Sequence, residues 1–304
     1  MSEESSANPD PIADGARPSP RPASALEAGL YLVATPIGAA DDVSLRALAV
    51  LRAADVIAAE DTRRARKLLE IHGIGLAGRR LLPYHDHNGP VQRPALLAAL
   101  EAGQTVALVS DAGTPLIADP GYRLVEAVLD AGHPVRAVPG ASAVLAALSV
   151  AGLPTDRFLF AGFPPPKPAA RARFLADLAS IPATLVLYEA PRRVAATLRD
   201  MEAAFGAERP AALCRELTKR HEEVRRGSLG ALAGAFDGAE APRGEIVLVI
   251  GPPAEKPVEA EDLDGALREA LALMSPKDAV REVARLTGAP RRDVYARALE
   301  IGRE

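Results

Sequence analysis

Tryptophan is absent, and aromatic residues make up only 4% of the 304-residue chain. The core must therefore be aliphatic, and stacked aromatic platforms for single-stranded nucleic acid are not expected. A single cysteine, Cys214, excludes an intramolecular disulfide and any cysteine-built zinc or iron–sulfur centre. A reducing, cytoplasmic setting fits that usage. No apolar run reaches the ~18 residues a membrane helix needs, so no membrane span is expected. The long uncharged, largely apolar segment over 139–155 contains Pro, Gly and Ser. The N-terminus lacks an apolar h-region and carries Glu3, Glu4, Asp10 and Asp14, which is not a signal peptide. Residues 1–27 are expected to form a disordered Pro/Ser/Ala tail. Surplus charge is missing as well. The net charge is −4, and the two Arg and five acids of that tail contribute −3 of it. The remainder is close to neutral, so any nucleic-acid contact must come from local patches.

Two phosphate-binding signatures are also lacking. No Gly-x-x-x-x-Gly-Lys-Ser/Thr occurs, which argues against a P-loop nucleotidase. Gly73-Ile-Gly-Leu-Ala-Gly78 matches Gly-x-Gly-x-x-Gly, but a helical pattern precedes it and Arg79-Arg80 follows. The dinucleotide fingerprint needs a strand before and a helix after, so a helix-ending loop is the better reading.

What is present is an alternation. Short β-like runs at 30–34, 55–59, 105–109 and 135–138 read as strands. Ala/Leu/Arg-rich helical patterns lie between them at 44–53, 63–72, 93–101 and 120–131. Such alternation predicts βαβ units and a mostly parallel sheet. Asp119-Pro120 reads as a helix start, a capping carboxylate followed by Pro at the first position. A helix over 139–156 and a Gly-Leu-Pro-Thr break place a hinge near 152–157. A second alternating set follows, with strands at 157–161, 184–188, 210–214 and 245–250. Its helices are expected at 171–179, 192–205 and 228–236. After Gly251-Pro-Pro and an acidic linker come three short helical patterns, at 263–274, 276–286 and 290–301. The Thr287-Gly-Ala-Pro290 join gives them a helix-turn-helix look. The expected division is a tail over 1–27, α/β domains over 28–153 and 154–252, and a helical module over 258–304.

Chemistry-bearing residues gather at the carboxyl ends of the expected strands, the edge where open α/β sheets bind ligands. The first strand runs into Ala34-Thr-Pro-Ile-Gly38, a tight turn with exposed backbone. The second runs into Glu60-Asp-Thr-Arg63, where a carboxylate can also cap a helix. The third opens into Ser110-Asp-Ala-Gly-Thr-Pro-Leu-Ile-Ala-Asp-Pro-Gly121. Twelve mostly small or rigid residues exceed a normal βα connection. Small residues admit a ligand close to the backbone. Asp111 can accept from an ammonium or a ribose hydroxyl, and with no cation the loop suits a zwitterionic nucleoside better than a polyphosphate. Pro139-Gly-Ala-Ser-Ala143 adds backbone N–H groups, so a composite pocket is expected.

His85-Asp-His-Asn88 packs four polar side chains together. No further His or Cys stands near, so no metal is expected there, and a polar rim with acid/base capacity is the preferred reading. Basic clusters occur at Arg63/Arg64/Arg66/Lys67, Lys167/Arg171/Arg173, Arg192/Arg193 and Lys219/Arg220/Arg225/Arg226. They are compatible with phosphate contacts. Residues 275–304 carry seven basic and five acidic groups, among them Arg291 and Arg292. That weakly basic segment could grip RNA or dock a protein.

Five segments in this order and spacing carry a resemblance: Tyr31-Leu-Val-Ala-Thr-Pro-Ile-Gly38, Glu60-Asp-Thr-Arg63, His85-Asp-His-Asn88, Ser110-Asp-Ala-Gly-Thr-Pro-Leu-Ile117 and Arg215-Glu-Leu-Thr-Lys219. They resemble the small-subunit ribosomal RNA cytidine ribose-2′-O-methyltransferases, a branch of the tetrapyrrole-methylase superfamily. The likeness runs from about Leu30 to the C-terminus. It includes Arg157-Phe158, Gly162-Phe-Pro164, Tyr188-Glu189 and Gly244-Glu245. Pro164-Pro165 and Ala118 depart from residues common in that family.

The resemblance implies two α/β domains with S-adenosylmethionine between them, and a homodimer. It implies a small C-terminal helical module and a target cytidine in the decoding region of 16S rRNA in the small ribosomal subunit. The cofactor site it implies comprises Pro36, Ser110, Asp111, Ala112, Gly113, Leu116, Ile117, Ser142, Ala143, Tyr188, Gly244 and Glu245. Proton acceptors for the hydroxyl are sought among Glu60, Asp61, His85, His87 and Asp111, with Glu60, Asp61 and His87 foremost. Arg63, Lys167, Lys219, Arg291 and Arg292 are the expected RNA contacts. Two other readings stay open: a tetrapyrrole C-methyltransferase on the same scaffold, or a non-catalytic ribosome assembly factor.

Overall fold

The computed structural model describes residues 26–254 and 260–302. The tail expected over 1–27 lies outside the described residues except for Leu26 and Glu27, as does most of the linker after Gly251.

The first sheet contains β1 (Gly29–Val33), β2 (Val56–Ala59), β3 (Arg80–Pro83), β4 (Thr105–Val109) and β5 (Val135–Val138). Their order is β3-β2-β4-β1-β5, and all pairings are parallel. Near-continuous apolar runs are what a sheet covered on both faces demands, and every residue of β2 and β4 is buried. Alternation along each strand splits the core in two. Tyr31, Val33, Ile57, Ala59, Ala107 and Val109 face one layer, while Leu30, Val56, Ala58, Val106 and Leu108 face the other.

The connecting helices are α1 (Leu45–Ala53), α2 (Thr62–Ile71), α3 (Gly89–Glu101), α4 (Tyr122–Asp130) and α5 (Ala143–Ala151). Side chains cap three of them: Ser44 accepts from the Ala47 N–H (3.0 Å), Asp61 from that of Arg63 (2.8 Å) and Ser142 from that of Leu145 (3.5 Å).

The expected start of α4 needs correction. The helix begins at Tyr122, Gly121 occupies the cap position, and no side chain caps it. Asp119 does not serve that helix. Three left-handed residues within six positions, Leu116 (φ 74°), Ala118 (φ 62°) and Gly121 (φ 135°), turn the chain away from capping geometry.

The second sheet contains β6 (Phe158–Phe160), β7 (Thr184–Glu189), β8 (Pro210–Arg215), β9 (Glu223–Ser228) and β10 (Ile246–Ile250), in the order β6-β7-β10-β8-β9. Only β6 and β7 are parallel, and the other pairings are antiparallel. Helices α6 (Pro168–Leu178), α7 (Val194–Phe205) and α8 (Leu229–Phe236) cover one face. The other face is covered by α5. Its Val144, Ala147, Leu148 and Ala151 pack with Val186, Ala212, Cys214, Val247 and Val249 of the second sheet.

Two strands, β3 and β9, are absent from the sequence reading. Both are edge strands, and neither has a fully buried residue. β9 reads Glu-Val-Arg-Arg-Gly-Ser, the charged type of edge that resists further pairing.

The C-terminal helices α9 (Ala260–Leu273), α10 (Pro276–Thr287) and α11 (Arg291–Ile301) bury a core of their own, including Leu267, Val280, Val283 and Val294. Gly288, left-handed at φ 71°, ends α10. Arg297 on α11 holds Asp264 on α9 through two hydrogen bonds of 2.6 and 2.5 Å. Among the described residues, no helix is long and apolar enough to cross a membrane.

Candidate active site

Four loops leave the carboxyl ends of β1, β2, β4 and β5, and hydrogen bonds join them into one floor. Thr35 and Gly113 exchange both backbone bonds (2.9 and 3.0 Å), tying the β1 loop to the β4 loop. The Asp61 N–H donates to Asp111 Oδ1 (2.9 Å), and Thr114 Oγ1 donates to the Ala141 carbonyl (3.1 Å). The second sheet faces this floor with the end of β7 and the start of β10, which lie side by side because the two strands run antiparallel.

A cavity of about 320 Å³ lies between these edges. The first half contributes Ile37, Glu60, Arg64, Asp111, Ala112, Gly113, Thr114, Ile117, Ala118, Asp119, Ser142 and Ala143. The second half contributes Phe163, Tyr188, Glu189, Ala190, Pro191, Gly244, Glu245, Ile246 and Val247. A volume of this size, apolar with a few polar groups, fits a small organic ligand.

The acids around the cavity are held in different ways. Asp61 caps α2 and binds Arg63 at 2.7 Å, and the Arg63 hydrogen bonds lower its pKa to about 2. So anchored, it is a poor proton acceptor. Asp111 accepts from the Asp61 N–H and stands 3.4 Å from Arg64. Burial and then the Asp111 charge push the Glu60 carboxyl above its usual range. Glu189 is fully buried as a side chain, with Thr197 Oγ1 (2.5 Å), the Ala190 N–H (2.6 Å) and Arg193 (2.6 Å) as partners. Asp119 differs from all of these. Burial, followed by the negative charge of Glu60, raises its pKa to about 7. Tyr188 rises to about 12 through burial and then the charge of Asp119, and its ring packs edge-on against Phe160 (4.8 Å) and Phe163 (5.4 Å). The carboxylates do not converge as metal ligands, and among the described residues no cluster of three His, Cys, Asp or Glu side chains is arranged to hold an ion.

Of the residues expected at a cofactor, Asp111, Ala112, Gly113, Ile117, Ser142, Ala143, Tyr188, Gly244 and Glu245 line this cavity together. Pro36 and Ser110 line an adjoining pocket with Arg64, Lys67 and Lys219. Leu116 lines neither, because its side chain packs with the core under β4 and below Gly121. Glu60 is in the cavity, whereas Asp61, His85 and His87 are outside it. The His85 loop is a fold element: Asn88 Oδ1 accepts from the His85 N–H (2.9 Å) and its amide donates to the Pro83 carbonyl (3.0 Å).

The expected RNA contacts are scattered. The Arg63 side chain is 89% exposed but engaged by Asp61. Lys219 is clasped by Glu216 (2.8 Å) and Glu245 (3.0 Å), so its charge is already compensated by two carboxylates. Lys167 precedes α6, and Arg291 and Arg292 line a groove on the C-terminal helices with Lys277 and Tyr295. Sequence reasoning missed Asp119, Glu189, Arg64 and Phe163 at the cavity. For Asp119 a signal existed, since it ends a loop too long for a plain connection, but Asp-Pro-Gly invited a capping role instead.

Residues 29–233 match the family Tetrapyrrole (Corrin/Porphyrin) Methylases, and residues 257–302 match the RsmI C-terminal HTH domain. The chain is similar to ribosomal RNA small subunit methyltransferase I of Mesorhizobium japonicum, with 51% identity over 92% of this chain and 94% of the relative. Among solved structures it is similar to the uroporphyrin-III-C-methyltransferase of Thermus thermophilus, with 27% identity and a TM-score of 0.53 over 74% of this chain and 94% of the other. A Thermus thermophilus uroporphyrin-III C-methyl transferase solved with S-adenyl homocysteine gives 22% identity and a TM-score of 0.50, over 73% of this chain and 96% of that one.

Proposed function

We propose a reaction from one premise: this chain belongs to the tetrapyrrole (corrin/porphyrin) methylase family, in the group of the ribosomal RNA small subunit methyltransferase I proteins. It is an S-adenosylmethionine-dependent methyltransferase of small-subunit ribosomal RNA. The finer reading is that the methyl group goes to the ribose 2′-oxygen of a cytidine in the decoding region of 16S rRNA. The observation that carries it is the extent of the likeness, 51% identity over 92% of the chain, with landmark segments at the ends of β1, β2 and β4. The ribose hydroxyl distinguishes RNA from DNA, and a splayed-out nucleotide can reach a cleft.

S-adenosylmethionine supplies a methyl group on a positively charged sulfur with a good leaving group, so the protein mainly aligns and desolvates. The residues present fit such a ligand. Glu60, Asp111 and Glu245 offer negative charge to its cationic groups, and Arg64 offers a partner to a carboxylate. Gly113 in the cavity floor has φ 81°, a backbone conformation that glycine adopts without strain and L side chains rarely do. Ile37, Ile117, Phe163 and Val247 give the cavity its apolar lining. In this reading Asp111 through Gly113, Ser142 and Ala143 hold the cofactor from one side, and Tyr188, Gly244 and Glu245 from the other. The resemblance also supports a homodimer acting in the cytoplasm on the small ribosomal subunit, and a division into units over 28–153, 154–252 and 258–304.

The test is methyl transfer from labelled S-adenosylmethionine to unmodified small subunits, with the methylated position mapped. Label on a cytidine 2′-oxygen in the decoding region is expected. Turnover of a tetrapyrrole precursor with no label on RNA overturns the substrate while leaving the fold.

A further inference from the structure

Asp119 stands in a sequence that should make it a helix cap, and the structure withholds that role. An Asp followed by Pro and Gly ahead of an apolar run is a capping signal. Here the cap position belongs to Gly121, and the Asp119 carboxyl lines the cavity between the two sheets instead. Two non-glycine residues just before it, Leu116 and Ala118, adopt left-handed backbone, which costs roughly 1 kcal/mol or more each. The surrounding contacts that impose this geometry also place the carboxyl. Leu116 is anchored under Gly121, where a Cβ would come within 3.3 Å of it, and it packs into the core beneath β4.

The neighbours of Asp119 are unusual for an acid. No cation forms an ion pair with it among the described residues, and no backbone N–H is among its partners. The Ser110 hydroxyl, shared with the Gly113 carbonyl (3.2 Å), is the one group that favours its charged form. Glu60 from the end of β2 and Asp111 from the end of β4 face it with like charge, and Tyr188 faces it from β7. Arg64, which lines the same cavity, is engaged by Asp111. The other acids of the cavity are committed elsewhere. Glu60 accepts from the Asp111 N–H, Asp111 holds Arg64 and the Asp61 N–H, Glu189 is saturated, and Glu245 binds Lys219. Asp119 is the acid of this cavity whose hydrogen-bonding partner is a shared hydroxyl, with neither an ion pair nor a backbone N–H beside it among the described residues.

We propose that Asp119 is the catalytic residue that takes the proton from the ribose hydroxyl during methyl transfer. The proposal rests on the methyltransferase reading above. As the oxygen–methyl bond forms, the sulfur–methyl bond breaks with its electron pair left on sulfur. The hydroxyl proton passes to a carboxylate oxygen of Asp119. Hydroxyl, sulfonium and carboxylate become ether, thioether and carboxylic acid, and the proton leaves to water once the product departs. Near pH 7 such a carboxyl is part ionised and yet basic enough to assist, the balance that proton-transfer catalysis favours.

The experiment measures three quantities on the full-length protein, wild type and Asp119→Asn. These are single-turnover methylation of unmodified small subunits, calorimetric affinity for S-adenosylmethionine, and titration of the Asp119 carboxyl by NMR with ¹³C-labelled aspartate. The Asn variant is expected to lose roughly a hundredfold or more in single-turnover rate, with cofactor affinity kept within about threefold. The wild-type rate is expected to rise with pH through about 7, in step with the carboxyl titration. Glu60→Gln, by removing the facing charge, is expected to move that rise to lower pH. An Asn variant as fast as wild type, a parallel loss of affinity and rate, or a carboxyl titrating near 4 would each overturn the proposal alone. A wild type that methylates no subunit overturns the function reading, and the proposal with it.

Discussion

Gly244 and Glu216 interlock: a Cβ on Gly244 would lie 2.4 Å from the Glu216 carboxyl. That carboxyl accepts from the Glu245 N–H (2.9 Å) and from Lys219 Nζ (2.8 Å), and Thr218 in the same loop accepts from the Ala39 N–H (3.1 Å). Together these contacts lock the β8–β9 loop, the start of β10 and the turn after β1 to one another. Gly244→Ala must displace Glu216 and also force a side chain onto φ 98°, a conformation that L-residues resist. The expected outcome is a loss of S-adenosylmethionine affinity of tenfold or more with a lowered melting temperature. Calorimetry and thermal unfolding check it, and unchanged affinity would remove Gly244 from the site.

Asp119 also leaves a mark on stability. Below about pH 4 its carboxyl is protonated in folded and unfolded chains alike. Between about pH 4 and 7 the unfolded chain releases the proton while the folded one keeps it, so stability falls as pH rises and levels off above 7. Asp119→Asn removes that penalty. Screened by the solvent that reaches this half-buried carboxyl, the gain in unfolding free energy should be roughly 1 to 3 kcal/mol at pH 8 and hardly any at pH 4. Urea unfolding at the two pH values decides; an equal effect at both would contradict the assignment.

The one thiol should be inert. Cys214 is fully buried in β8 against α5, and burial pushes its pKa to about 11. Thiolate is the reactive form. A thiol reagent at pH 8 is expected to label the folded protein not at all, and the denatured protein stoichiometrically.

Arg291 and Arg292 line a groove beside Lys277 and the half-exposed Tyr295. Phosphate contacts there would show in salt dependence. Arg291→Ala with Arg292→Ala should flatten the log–log salt slope of binding to small subunits by about one unit per arginine. A slope that stays put would move the RNA footprint elsewhere.

The legible parts of this fold were those where one interaction decides. β4 and β5 end where the sequence placed them, because each is a short β-like run closed by turn residues, Ser110-Asp111 after β4 and Pro139-Gly140 after β5. The charged edge strand β9 carries no such run, and its pairing to β8 is a long-range choice that local pattern does not encode. Nor does periodicity tell an antiparallel strand from a parallel one, which is why the second sheet departs from the expected pattern. At the site, small residues announced the β4 loop. The strongest local signal, Asp119-Pro120-Gly121, pointed to helix capping, and only the packing of Leu116 reveals that the loop overrides it.

Helix α5 has a further consequence. Its first residues, Ser142 and Ala143, are in the cavity wall, and its body is one cover of the second sheet. The two α/β halves therefore share a core. Cutting the chain beyond Gly152 would keep α5 with the first half and bare Val186, Ala212, Val247 and Val249 on the second. The halves are thus obligate partners in folding. They should melt in one cooperative transition, and fragments made at that boundary should be insoluble apart and recover only when refolded together.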